Sequence, residues 1–79
     1  MPPVPVLAPR EVVKTFEKLG WTVVRQRGSH IILTRKGHIA TLSVPQHTEV
    51  ARGTLRSLIS KAGFSVSEFL DARRKVSGK

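Results

Sequence analysis

The fold is decided by residues 21–44, which read WTVVRQRGSHIILTRKGHIATLSV. β-Branched residues are frequent in this stretch and alternate with polar ones, as is typical of strands that pack one face. Gly28-Ser29 and Lys36-Gly37 interrupt the alternation and mark two short turns. We therefore expect three strands joined as an antiparallel meander, at residues 21–27, 30–35 and 39–44.

Helical patterns lie on both sides of this stretch. Before it, Pro9 is suited to the first position of a helix that Gly20 ends. After it, a second helix opens near Gly53 and ends at Gly63. Its apolar residues have the i, i+3, i+4, i+7 spacing of a single face, and they are Leu55, Leu58, Ile59 and Ala62. The order of elements is therefore helix, three strands, helix.

A capping box predicts one more helix near the C-terminus. Ser65 and Glu68 have the spacing at which each side chain can satisfy the backbone N–H of the other residue. The helix that follows is expected to be short, ending at about residue 74. The order α-β-β-β-α with this short C-terminal helix predicts a two-layer α+β domain, in which the long helices cover one face of the sheet.

The chain has room for a single domain with two flanking tails. Its 79 residues are too few for a second core. Three prolines among the first five residues predict an extended arm over residues 1–7. A disordered tail is expected at residues 77–79, which places the domain at residues 8–76.

The charge of the chain points to a polyanionic partner. The sequence has 14 Lys and Arg against 5 Asp and Glu, a formal net charge of +9, together with 39% hydrophobic residues. That apolar content is typical of a packed domain and too high for a disordered basic tail. Nucleic acid is the first partner to consider, with an acidic protein or simple solubility as the alternatives.

The composition also bears on the compartment. The chain has no cysteine, which excludes disulfides and thiolate zinc sites and suits a reducing cytosol. The N-terminus has no positively charged segment before an apolar run, and no stretch approaches the roughly 18 apolar residues of a membrane span. We expect a cytoplasmic protein that is neither secreted nor membrane-spanning.

The sequence has few of the residues and motifs on which enzymatic catalysis usually depends. With five carboxylates and no glycine-rich phosphate loop, paired-carboxylate and nucleotide-dependent chemistry have little support. Three histidines stand at positions 30, 38 and 47, and their spacing matches no compact zinc motif. No metal site or cofactor is therefore expected, and His38 receives no role.

His30 is the candidate catalytic residue. It follows the Gly28-Ser29 turn and opens a predicted strand, where the turn can hold its side chain at the rim of the sheet. An imidazole can take or give a proton near neutral pH. RNA carries its own nucleophile, the 2′-hydroxyl, so a base, an acid and positive charge suffice to cleave it without a metal.

His47 is the candidate for a second proton-transfer group or for positioning the substrate, because the loop after Pro45 can approach the start of the second strand. Both histidines also have simpler interpretations. His30 would then be a strand-edge residue that only hydrogen-bonds the backbone, and His47 a solvated loop residue.

Cationic and small polar side chains are the candidate RNA-binding groups. The start of the second helix, Gly53 to Arg56, offers free backbone N–H groups to a phosphate, although Thr54 or a nearby residue could instead only cap the helix. The full set is Arg25, Arg27, Ser29, Arg35, Lys36, Arg52, Thr54 and Arg56. The aromatic residues fall on apolar stripes or helix junctions, so we expect them in the core and not as platforms for base stacking.

Three segments together resemble the HicA family, the mRNA interferase toxins of HicA–HicB toxin–antitoxin pairs. They are residues 20–30, which end in Gly28-Ser29-His30; residues 44–47, which read VPQH; and residues 53–70, which begin GTLRSLI and end EFL. The resemblance covers about residues 8–71 with order and spacing kept.

This resemblance implies a fold like that of double-stranded-RNA-binding domains, metal-independent cleavage of mRNA and a catalytic histidine at His30. It also implies a HicB-like antitoxin that covers the active site. Members of the family often carry a second histidine or an aromatic after the Gly-Ser-His triplet, where this chain has Ile31. From the residues alone, a non-catalytic RNA-binding module of the same fold stays open, whereas a DNA-binding regulator is disfavoured by the lack of a helix-turn-helix pattern.

Overall fold

The computed structural model describes residues 4–46 and 48–77. The elements are α1 (Pro9–Lys18), β1 (Thr22–Arg27), β2 (His30–Thr34), β3 (Leu42–Pro45), α2 (Arg52–Lys61) and α3 (Val66–Ser77). The three strands form one antiparallel sheet in the order β1-β2-β3. The α+β class and the α-β-β-β-α order predicted from the sequence are confirmed.

β2 is the central strand, and its pairing with both neighbours sets which side chains share a face. His30 lies opposite Arg27 of β1 and opposite Pro45 of β3. The β1–β2 register shifts by one residue between Val23 and Arg25, which makes a β-bulge. Paired residues of antiparallel strands point to the same face, so each such row of three lies on one side of the sheet.

One face of the sheet is packed under the helices. Leu33, Leu42 and Val44 are fully buried there, and α1 and α2 contact the sheet on this side. Phe16 of α1 packs against two further aromatic rings, with ring centroids 6.5 Å from Trp21 and 5.0 Å from Phe69. Phe16, Trp21 and Phe69 are therefore buried in the core, as predicted, whereas Phe64 is only partly buried and packs against the core.

β3 begins three residues later than expected, at Leu42 instead of residue 39. Gly37 has a φ of +82°, which turns the chain after Lys36. His38 then accepts a hydrogen bond at Nδ1 from the backbone N–H of Ala40, at 3.3 Å. Ile39 is fully exposed as a result, so the alternating pattern over residues 39–41 is taken up by a loop.

α3 is longer than the short helix expected from the sequence. It runs over 12 residues because its buried residues pack against α1, where Arg73 also makes a 3.2 Å ion pair with Glu11. The capping box that predicts its start is confirmed. The Glu68 N–H donates to Ser65 Oγ at 3.1 Å, and the Ser65 N–H donates to Glu68 Oε1 at 2.7 Å.

The segment before α1 contributes to the core. Val4 and Leu7 are each only 3% exposed. The backbone N–H of Val50 donates to the carbonyl of Leu7 at 2.8 Å, which makes an isolated antiparallel bridge. Of the expected arm and tail, residues 1–3 and 78–79 lie outside the described residues.

Candidate functional site

His30 lies on the exposed face of the sheet, opposite the buried Leu33. Together with Arg27 and Pro45 it forms a cross-strand row, which we call the His30 row. Arg25 belongs to the next row on the same face. All six residues of β1 are exposed, as is His30 itself. The face therefore presents an imidazole to solvent with two guanidinium groups on the adjacent strand.

The turn before His30 fixes where its side chain emerges. Gly28 has a φ of +60°, a left-handed conformation that residues with a Cβ rarely adopt. The backbone N–H of Gln46 donates to the carbonyl of Ser29 at 2.7 Å, which ties this turn to the segment after β3. These constraints hold His30 at the end of the sheet. Gly28 and Ser29 of the Gly-Ser-His triplet therefore position the histidine through the turn that they form.

Arg27 lies directly opposite His30 in the pairing of β1 with β2. Cβ atoms of residues directly opposite in an antiparallel pair are about 4.5–5.5 Å apart. A guanidinium group carries five N–H donors in a planar fork that matches phosphate oxygens. An anion bound at Arg27 thus lies within reach of the imidazole.

The structure does not bring Arg35 and Lys36 to His30. Both follow the far end of β2, and five residues of strand span about 16 Å. The Arg35 guanidinium instead lies over the ring of Phe64, with 5.9 Å between Cζ and the ring centroid. Contact of this kind stabilises the packing of Phe64, and it holds the Arg35 guanidinium away from His30.

The start of α2 is open to an anion. The helix begins at Arg52, and its N-cap is Ala51, so no side chain caps it. Thr54 lies inside the first turn, and the alternative that it caps the helix is wrong. The first turn has no acidic residue, and Arg52, Thr54 and Arg56 are exposed. Uncapped backbone N–H groups and two arginines therefore occur together there.

The two other histidines differ in what the structure describes. His47 lies outside the described residues. His38 packs against Trp21, with ring centroids 5.0 Å apart, and its Nδ1 is engaged by the Ala40 N–H. His38 therefore has a structural role that the sequence did not indicate.

The described residues, 4–46 and 48–77, contain neither a metal-binding cluster nor a membrane-spanning helix. They contain no group of three or more histidine, cysteine or acidic side chains arranged to hold a metal ion. Within the same ranges, no helix has the length and apolar character to cross a bilayer.

Sequence reasoning missed Gln26 and Gln46. With Gly28 and Ser29, these two residues line an open cleft of about 400 Å³ at the hairpin end of the sheet. Gln26 precedes Arg27 and Gln46 follows Pro45, so both adjoin the His30 row. That adjacency follows from the pairing of β2 with both neighbours, which the sequence does not display directly.

Comparison with known families identifies the chain. The family model described as the HicA toxin of bacterial toxin–antitoxin systems matches residues 9–64, more than two thirds of the sequence. The chain belongs to the HicA toxin family. No curated protein matched this HicA toxin. The matched region runs from the start of α1 past the end of α2 and includes His30 with both arginines of β1.

Membership of the family implies a protein partner. A HicA protein is the toxin of a toxin–antitoxin system, and such a toxin has a cognate antitoxin.

The match also shows how much of the packed domain the family model covers. The matched region leaves out Leu7 and the whole of α3, although Leu7 and Phe69 are buried in the core of this HicA toxin. The packed unit is therefore larger than the matched region.

Proposed function

We propose that this HicA toxin is a metal-independent endoribonuclease that cleaves mRNA by histidine-dependent acid–base catalysis. The observation that carries the proposal is the exposed His30 row, in which an imidazole stands beside Arg27 on a solvent-facing sheet. Membership of a toxin family supports the proposal, because an enzyme that cleaves cellular RNA harms the cell in which it is made.

The proposed reaction needs only what RNA and this site supply. The 2′-hydroxyl oxygen attacks the adjacent phosphorus, the bond to the 5′-oxygen breaks, and a 2′,3′-cyclic phosphate and a 5′-hydroxyl form. His30 transfers a proton to or from the attacking 2′-hydroxyl or the leaving 5′-oxygen. Arg25 and Arg27 stabilise the extra negative charge of the phosphorane. His47 is proposed as the second proton-transfer group or as a residue that positions the substrate.

RNA binding is proposed to be mainly electrostatic. The proposed contacts are Arg25, Arg27 and Ser29 beside His30, Arg52, Thr54 and Arg56 at the start of α2, and Arg35 and Lys36 at the far end of β2. The net charge of +9 and the burial of Phe16, Trp21 and Phe69 favour phosphate contacts over base stacking.

We expect the affinity for RNA to fall steeply with salt. If about four phosphates are neutralised, the logarithm of the association constant should fall with the logarithm of salt concentration at a slope of about −3 to −4. Fluorescence anisotropy with uncleavable RNA measures it. Arg27→Gln should make the slope shallower by about 1, whereas Arg74→Gln, on the exposed side of α3, should not. An affinity independent of salt would exclude this account.

The proposed protein partner is a HicB-like antitoxin that covers the His30 row. A strongly cationic toxin favours an inhibitor of complementary charge, so an acidic binding surface is expected on the antitoxin. Both partners and the mRNA substrate are proposed to meet in the cytoplasm.

Expression in bacterial cells tests the proposed function against the alternative of a non-catalytic RNA-binding module. The wild-type chain should arrest growth and fragment cellular RNA, and His30→Ala should do neither. Ser43→Ala, an exposed change on β3, serves as the matched control and should behave as wild type. Growth arrest with intact RNA, equal in wild type and His30→Ala, would favour the non-catalytic module.

A further inference from the structure

The cleft lined by Gln26, Gly28, Ser29 and Gln46 is a site that the acid–base mechanism does not use. Its volume of about 400 Å³ lies within the range of pockets that hold small organic groups. We call it the amide cleft, because two of its four lining residues are the only glutamines of the chain.

The amide cleft lies at the same end of the sheet as the proposed catalytic residue, although His30 does not line it. Ser29 precedes His30 in the chain, and consecutive Cα atoms are about 3.8 Å apart. Gln26 pairs with Ile31, which places it on the helix side of the sheet, whereas His30 lies on the other side. A strand of RNA that passes around this end of the sheet can therefore place a phosphate at His30 on one side and a neighbouring base in the cleft on the other.

The lining groups suit an uncharged hydrogen-bonding edge. The Gln26 side chain donates from Nε2 to the carbonyl of Gly28 at 3.3 Å, which orients its amide. An amide carries one acceptor oxygen and two N–H donors, and Ser29 adds a hydroxyl that can donate or accept. Glutamine pairs bidentately with N6 and N7 of adenine, and single-stranded RNA exposes such base edges.

A second groove supplies the cationic groups that bind the phosphate of a nucleotide. Gln46 lines a cavity of about 260 Å³ that runs along α1 past Arg10, Lys14 and Glu17. Two cations against one carboxylate leave a net charge of +1 along this wall. An amide-lined cleft followed by a cationic groove matches a base followed by its phosphate.

We propose that the amide cleft binds the base of a nucleotide flanking the scissile phosphate and prefers adenine. The proposal rests on RNA as the ligand of this toxin, and it does not require that cleavage occurs. Gln26 and Gln46 then act as specificity residues, whereas Arg10 and Lys14 hold the attached phosphate without reading sequence.

Binding of the wild-type chain to four uncleavable oligonucleotides tests this proposal. The probes are 2′-O-methyl heptamers of uridine in which the central base is A, G, C or U, so the nucleophile for cleavage is blocked. The adenine probe should bind at least about fivefold more tightly than the all-uridine probe. Gln26→Ala and Gln46→Ala should each bring that ratio close to 1 and change the all-uridine affinity by less than about twofold.

Two further variants separate base reading from phosphate binding. Lys14→Ala should weaken all four probes by the same factor and keep the adenine preference. Thr22→Ala, on the opposite end of β1, should change neither the affinity for the probes nor the adenine preference. Equal binding of the four probes by the wild type, or an adenine preference that persists in both glutamine variants, would overturn the amide cleft alone. Absence of binding to any probe would overturn RNA binding as well. Because the probes are uncleavable, the binding result does not depend on whether the chain cleaves RNA in a separate assay.

Discussion

His30→Ala is expected to lower the rate of RNA cleavage by at least about 100-fold while RNA affinity stays within a few fold of wild type. General acid–base catalysis contributes about 10²–10⁴ to a rate, and a neutral imidazole adds little attraction for phosphate. His30 is exposed at the end of β2, so its removal leaves no cavity in the core. Single-turnover cleavage and anisotropy measure the two quantities.

Two further variants accompany this test. Ser43→Ala, on the same face of the sheet, is the control, and His47→Ala tests the other candidate histidine. Ser43→Ala should cleave at the wild-type rate. His47→Ala should lose a comparable amount if it is the second proton-transfer group and less if it only positions the substrate. A folded His30→Ala protein that cleaves RNA at the wild-type rate would show that the catalytic residue has been misassigned.

Leu7→Ala is expected to lower the free energy of unfolding by about 2–4 kcal/mol. Leu7 lies before the matched family region, yet it is 3% exposed and packs in the main core. Replacing a buried leucine removes its transfer free energy and leaves a cavity, which typically costs about 2–5 kcal/mol. For a domain of this size that is a large part of the total stability, so the loss should be plain in a urea or thermal unfolding curve.

The neighbouring residue provides a matched control for the second prediction. Val6 precedes Leu7 and is 37% exposed, so Val6→Ala should change the unfolding free energy by less than about 0.5 kcal/mol. Equal and small effects of the two substitutions would mean that the segment before α1 does not contribute to the core.

Features of the fold with a local cause could be predicted from the sequence. Gly28-Ser29 ends β1 and opens β2, and Ser65 with Glu68 begins α3, because a turn or a cap depends on a few adjacent residues. The start of β3 and the length of α3 depend on contacts that are distant in the chain. The first is set by the loop around His38, which packs on Trp21, and the second by packing of α3 against α1.

The same distinction holds for the candidate site. The proximity of Arg27 to His30 follows from a two-residue turn, which the sequence shows. Arg35 is also near His30 in sequence but about 16 Å away along the strand, and it packs on Phe64. The amide cleft was missed because it forms only when Gln46 after β3 is hydrogen-bonded to Ser29 before β2.

The central claim is that this HicA toxin cleaves RNA without a metal through His30. The most direct test is to incubate the purified 79-residue chain with a defined RNA in excess EDTA and to determine the chemistry of the new ends. The account predicts undiminished cleavage, with a 2′,3′-cyclic phosphate or its hydrolysed form on one product and a 5′-hydroxyl on the other. Cleavage abolished by EDTA and restored by a divalent ion, or products with 3′-hydroxyl and 5′-phosphate ends, would contradict it.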